Sequence, residues 1–321
     1  MSRLLVLDSY VLSRICSFLD TKDLHTLAIA GPALQEDAEA HLWRSASVKG
    51  NKREVGKRLW TFLADDGRRA PYVRSLAIDI LGSARISEVE HTLIRCRALT
   101  SLQLRFAGGR PCGRVRKLPA TLKTLDIEWG FFDRARFFSL LGTARGLESL
   151  AVSGWPIEDA QDELPAGSLP VLRSVTGSTG LVEALVATRP TVTSVQITTD
   201  SVDSPTIKAL AGKAILDLDI PFEDSTIDDI CRACPLLGTV CFTDVFPESL
   251  AEWLKGTIPE GWRTLQHVRS LTLVFSLMAG EVVPPGSAIL LHARLKEIWP
   301  MLETVRFYCH SPWGFIEKSP K

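Results

Sequence analysis

Val73-Arg74-Ser75-Leu76-Ala77-Ile78 is the stretch that decides the fold, because it comes back. Leu99-Thr100-Ser101-Leu102-Gln103-Leu104, Leu122-Lys123-Thr124-Leu125-Asp126-Ile127 and Leu147-Glu148-Ser149-Leu150-Ala151-Val152 repeat it, and weaker copies begin at Leu172, Val192, Ile215, Leu237, Val268 and Leu302. The shared pattern is apolar, any residue, Ser or Thr, apolar, any residue, apolar. Copies start 20 to 34 residues apart, mostly 22 to 26. A period of that size marks a unit that buries its apolar face only by stacking on its neighbours. Between copies, residues 86–97, 131–144, 181–188, 206–214, 226–234, 249–255 and 286–299 carry apolar residues at helical spacing, as in Ile207, Leu210 and Ala211. Strand followed by helical return predicts an α/β chain, a curved solenoid with a parallel sheet of about ten strands.

Strand side chains alternate, so the apolar pair of each copy faces the interior and the residues between face the concave side. The first concave column is Ser75, Ser101, Thr124, Ser149, Ser174, Ser194, Asp217, Thr239, Ser270 and Thr304. Small hydroxyls stacked every ~4.8 Å suit the inside of a curve, so this column serves the fold. The next two columns are irregular, and specificity for a partner belongs there. Their candidates are Asp79, Gln103, Arg105, Asp126, Glu128, Gln196, Thr198, Asp219, Thr243, Arg306 and Tyr308. In the fifth copy Gly177 stands where the second interior residue belongs, which predicts a local irregularity.

Composition narrows the class. Apolar residues make up 45% and charged residues 23% of the 321, as in a globular chain. Lys plus Arg equals Asp plus Glu at 37 each, so no global field gathers nucleic acid or anionic lipid, and neither is expected as a partner. The seven cysteines are scattered and odd in number, which predicts reduced thiols in a cytosolic or nuclear protein. No apolar run reaches the ~18 residues of a membrane helix, and residues 1–7 are too short a run for a signal peptide.

Before the repeats, Val11, Leu12, Ile15, Phe18 and Leu19 fall on one helical stripe. Asp20 caps a second helix carrying Leu24, Leu27 and Ala28. Gly31 closes that helix through a left-handed stop, and Pro32 opens a third with Leu34, Ala38 and Leu42. Three such helices leave apolar surface over, either for a partner or for capping the repeat array. Leu7-Asp8, Val11-Leu12, Ile15-Cys16-Ser17-Phe18-Leu19-Asp20, Asp23-Leu24, Leu27-Ala28 and Leu42-Trp43-Arg44 resemble an F-box. Two positions depart from the family pattern, Asp8 in place of Pro and Tyr10 in place of Glu. The resemblance implies docking on the Skp adaptor of a cullin–RING ubiquitin ligase, through Leu7, Val11, Leu12, Ile15, Leu19, Leu24 and Leu27.

Residues 48–69 set Val55, Leu59, Trp60, Phe62 and Leu63 against Lys49, Lys52, Arg53, Lys57 and Arg58. This is the pattern of a solvated helix covering the first repeat, as an end repeat requires. The repeats resemble leucine-rich repeats of the kind found behind F-boxes, with Cys96 and Cys234 three residues before a copy, in a small buried slot. The whole chain is similar to F-box/leucine-rich-repeat proteins of mushroom-forming fungi. The expected division is a helical unit at 1–46, a helical bridge and cap at 47–70, the solenoid at 71–310 and a tail at 311–321.

The sequence offers little for catalysis. Cys231-x-x-Cys234 has no second ligand pair, so no metal site is expected. The glycine-rich, basic stretch 108–117 runs into Pro111 and a strand rather than a helix with Lys-Ser/Thr, so it reads as a return loop and not as a phosphate cradle. The six histidines lie in different repeats with no nucleophile or carboxylate at motif spacing. A non-catalytic chain with no cofactor is expected. Two functions remain: a ubiquitin-ligase subunit that recruits an unknown target protein, or an interaction scaffold whose first helices only cap the solenoid.

Overall fold

The computed structural model describes residues 9–64, 69–81, 87–107, 117–129, 134–154, 164, 167–199, 201–276, 283–311 and 314–318. These fall into two compact units, residues 1–155 with 167–169, and residues 156–166 with 170–321. Among the described residues no helix is long and apolar enough to cross a membrane.

The first unit begins with α1 (Ser9–Cys16), α2 (Thr21–Ala30) and α3 (Pro32–Leu42). Asp20 caps α2, its carboxylate accepting from the Asp23 N–H at 2.8 Å. Gly31 separates α2 from α3 with extended backbone at φ 172°, not in the left-handed conformation expected. Pro32 at the first position of α3 starts the new helix without a glycine stop, since its fixed φ suits that site. Cys16, Leu34 and Ala38 fill the space between these helices.

Next comes a strand that the basic, helical reading of 48–69 hides. β1 (Ser45–Asn51) pairs in parallel with β2 (Ser75–Leu81), Ser45 opposite Ser75 and Val48 opposite Ile78. Trp43-Arg44-Ser45-Ala46-Ser47-Val48 is a further copy of the repeat, weak because its interior residues are Ala and Val. The expected helix is real but shorter: α4 (Lys52–Ala64) buries Val55 and Leu59 and packs on β1, β2 and α5 (Ser87–Arg95). The unit continues with β3 (Ser101–Ala107), β4 (Thr124–Trp129), α6 (Arg134–Leu141) and β5 (Ser149–Ser153). Ser75, Ser101, Thr124 and Ser149 stand in register, as do the interior residues Leu76, Leu102, Leu125 and Leu150, all 0–1% exposed.

The second unit holds β6 (Ser174–Gly177), α7 (Thr179–Val186), β7 (Ser194–Ile197), α8 (Ser204–Leu210), β8 (Asp217–Pro221), α9 (Asp224–Ala233), β9 (Thr239–Val245), α10 (Pro247–Lys255), β10 (Ser270–Ser276), α11 (Ser287–Ile298) and β11 (Thr304–Ser311). Its strands β6 to β11 pair in order and in parallel, and β12 (Gly314–Lys318) adds antiparallel to β11 within the segment expected to be tail. Gly177 keeps the register, opposite Ile197. The irregularity lies instead at Asp244, whose φ of 57° marks a bulge where the pairing of β9 with β10 slips between Leu273 and Phe275. Asp is among the few side chains that tolerate this conformation, and the Ser276 hydroxyl bonds its carboxylate at 2.6 Å.

One backbone device repeats through both units. The carbonyl at the second position of a copy accepts two N–H groups from the next copy, as Arg44 O does from Arg74 at 2.9 Å and Ser75 at 3.0 Å. Arg74, Thr100 and Lys123 do the same in the first unit, and Arg173, Thr193, Leu216, Gly238 and Arg269 in the second. This explains why the second position takes any side chain: only its backbone is used. In the second unit the space under β8 to β11 is filled by a run of rings, Phe222 to Trp253 at 5.1 Å, Trp253 to Trp262 at 5.0 Å and Trp262 to Trp299 at 5.1 Å. The Trp299 indole donates to the Trp262 carbonyl at 2.6 Å, which orients the stack.

Candidate functional site

Three surfaces stand out among the described residues. The first is α1. Leu12 and Cys16 fix one face inward, 7% and 1% exposed. Tyr10, Val11, Ile15 and Phe18 point the other way, 70, 40, 38 and 79% exposed. Residues 11, 15 and 18 follow helical spacing, so they form one apolar patch rather than scattered exposures. Of the residues expected to dock a partner, Val11 and Ile15 lie in this patch. Leu12 and Leu24 are buried among the helices, Leu19 and Leu27 are half-buried, and Leu7 lies outside the described residues together with Asp8. Tyr10, Phe18 and, on α2, Ile29 at 85% exposed are apolar surface absent from that expected set. The stripe 11–12–15–18–19 already contained Phe18. Which half of a wide stripe faces inward depends on where α3 sits, and spacing alone does not settle it.

The second surface is the polar face of the strands. In the first unit Lys49, Asp79, Arg105 and Glu128 stand opposite one another across β1 to β4 and alternate in sign. Lys49 Nζ lies 3.1 Å from Asp79, and Arg105 Nε 3.4 Å from Glu128. One column over, Gln103 donates to Asp126 at 2.7 Å. In the second unit Gln196, Asp219 and Arg306 share a row with Cys241 and Thr272, while Thr243 and Tyr308 lie in the column beside it and Thr198 just past the end of β7. Gln196 donates to Asp219 at 2.8 Å. Burial raises the Asp219 carboxyl above its usual range, against hydrogen bonds from Cys241 and Gln196. Most of these side chains therefore already satisfy one another within the sheet.

The third surface is a pair of clefts in the first unit. One, about 590 Å³, lies between α4 and β1 and is lined by Trp43, Val48, Glu54, Lys57, Arg58 and Arg69. The Arg69 guanidinium sits 4.7 Å from the Trp43 ring centre. The other, about 530 Å³, opens where β1, β2 and β3 begin, below the end of α3 and the start of α2. His41, Arg44, Ser45, Arg74, Ser75 and Thr100 line it.

Chemistry beyond contact finds few groups. Cys231 and Cys234 are 1% and 0% exposed, and burial pushes both thiols up to about 12, as it does Cys96. Such thiols stay protonated and unreactive at neutral pH. Among the described residues no group of three or more His, Cys, Asp or Glu is arranged to hold a metal. The glycine-rich stretch 108–116 lies outside the described residues. The sequence matches no protein-family model and no curated protein.

Proposed function

We propose that the chain is a substrate-recognition subunit of a Skp–cullin–F-box type ubiquitin ligase. The N-terminal helices, an F-box by their resemblance, dock the Skp adaptor. The strands, read as leucine-rich repeats of the fungal F-box kind, hold a target protein on their polar face. The mechanism is proximity: the target is tethered near a ubiquitin-loaded enzyme and its effective concentration rises. The chain itself carries no catalytic group in this scheme, and its proposed compartment is the cytosol or nucleus.

The observation that carries the reading is the apolar patch of Tyr10, Val11 and Ile15 on α1 with Phe18 just past its end. Burying a fully exposed side chain of this kind is worth about 1.5–3 kcal/mol; Phe18 stands to gain most of that, and Val11 and Ile15, already more than half covered, gain less than half. The test is co-expression with the Skp adaptor, comparing wild type with the Val11→Asp/Ile15→Asp/Phe18→Asp variant. All three side chains reach the surface, so with the circular dichroism spectrum and thermal midpoint of the variant checked against wild type, loss of the adaptor from the purified complex supports the proposal. Equal recovery of the adaptor refutes it. Deleting the helices outright is a poorer test, because the Arg44 carbonyl and Ser45 begin the sheet.

The scaffold reading keeps one observation of its own. Leu12 and Leu24, which the F-box resemblance assigns to docking, are each only 7% exposed. If the triple variant binds adaptor as weakly as wild type does, the helices are a cap.

A further inference from the structure

Arg44 and Arg74 occupy the second position of consecutive copies, side by side at the starts of β1 and β2. At one place in each unit two charged neighbours in this column are opposite in sign and paired. Lys123 Nζ lies 2.8 Å from Glu148 in the first unit, and Arg269 lies 4.0 Å from Glu303 in the second. Arg44 and Arg74 differ from both pairs. They are two exposed cations in adjacent rows, and neither guanidinium is in an ion pair among the described residues. Both line the cleft of about 530 Å³, with His41 as a third group able to carry positive charge. Ser45 and Ser75 line the same space, one from each strand, each carrying a hydroxyl.

We propose that this cleft binds a dianionic phosphoryl group. Two guanidiniums present paired N–H donors, and the imidazole and two hydroxyls add more, which exceeds what the two oxygens of a carboxylate can accept. A phosphomonoester brings three terminal oxygens and a charge near −2. The volume is far larger than the group itself, and Thr21, Arg44 and Arg74 are exposed at its rim, so a phosphoryl group carried on a larger molecule has room to enter. The site is independent of the adaptor reading, since it uses none of the apolar residues of α1.

His41 supplies a built-in reporter. Burial and the nearby Arg44 and Arg74 lower its pKa, while Asp37 and a Ser13 hydrogen bond oppose them. A dianion seated between the arginines reverses their effect and raises it. The experiment follows the His41 ring resonances of the full chain by NMR during titration with inorganic phosphate. Parallel titrations use a phosphoserine peptide and its unphosphorylated counterpart. The expected result is saturable binding of the phosphopeptide with a rise in the His41 pKa, about tenfold or more weakened in Arg44→Gln/Arg74→Gln. Retention in Arg44→Lys/Arg74→Lys, which keeps the charges, separates a lost site from a damaged fold. Saturation by inorganic phosphate as tightly as by the phosphopeptide places the free ion as the ligand and still supports the site. No saturable shift with either probe, or equal binding by the Gln variant, overturns it.

Discussion

His41 links the first and third helices, its Nε2 lying 3.1 Å from the Ser13 hydroxyl. Its lowered pKa has a consequence for stability. The unfolded chain titrates this imidazole near 6.5, and the folded chain does so lower. Between those values the unfolded state binds more protons, so stability is full above about 6.5 and declines as the pH falls. The expected outcome is a thermal midpoint that drops from pH 7 to pH 5 less steeply in His41→Gln than in wild type, measured by circular dichroism. Asp219 works in the opposite sense. Its raised pKa means that stability is full below the unfolded value and is lost as pH rises through the folded one. Asp219→Asn keeps an acceptor for Gln196 and removes the desolvated charge, so its thermal midpoint is expected to exceed that of wild type at pH 7 and to match it at pH 3. An Asn variant less stable at pH 7 contradicts this.

At the scale of elements, the hexapeptide carried most of the fold because interior side chains, register and the doubly accepting carbonyl all live inside six residues. What escaped it follows from the same physics. β1 was hidden because its interior positions, Ala46 and Val48, bury little and remain half-exposed at the start of the sheet, while the basic residues after them read as helix. The bulge at Asp244 was hidden because an extra residue in a strand changes no side-chain class, whereas Gly177, the visible oddity, fits its register. The residues of α1 expected to dock a partner were legible as a stripe but not as an inside and an outside. Packing also ranks the elements. Trp253 on α10, 2% exposed, touches both Phe222 and Trp262. Trp253→Ala is expected to lose about 3–5 kcal/mol in denaturant unfolding, as for other buried aromatics. The rungs on the polar face lie at the other extreme. Glu128 and its partner Arg105 are about half exposed, so Glu128→Gln is expected to move stability by less than about 1 kcal/mol. A target-binding defect in Glu128→Gln would therefore report recognition rather than folding.

For the whole molecule, the proposal divides labour between two parts of the chain that serve different ends. The helices up to Leu42 offer an apolar patch, and the polar face of the strands offers paired charges and amides that a target must match or displace. Neither part needs a reactive group, and the buried thiols at Cys96, Cys231 and Cys234 are held in their inert form. The central claim is that α1 docks an adaptor. Calorimetric titration of the purified Skp adaptor into the full chain tests it most directly. Wild type is expected to bind, and Val11→Asp/Ile15→Asp/Phe18→Asp to bind about a hundredfold more weakly, since covering the exposed parts of the three side chains is worth on the order of two factors of ten. Affinity unchanged by the three substitutions, or no heat of binding with the folded wild type, contradicts it.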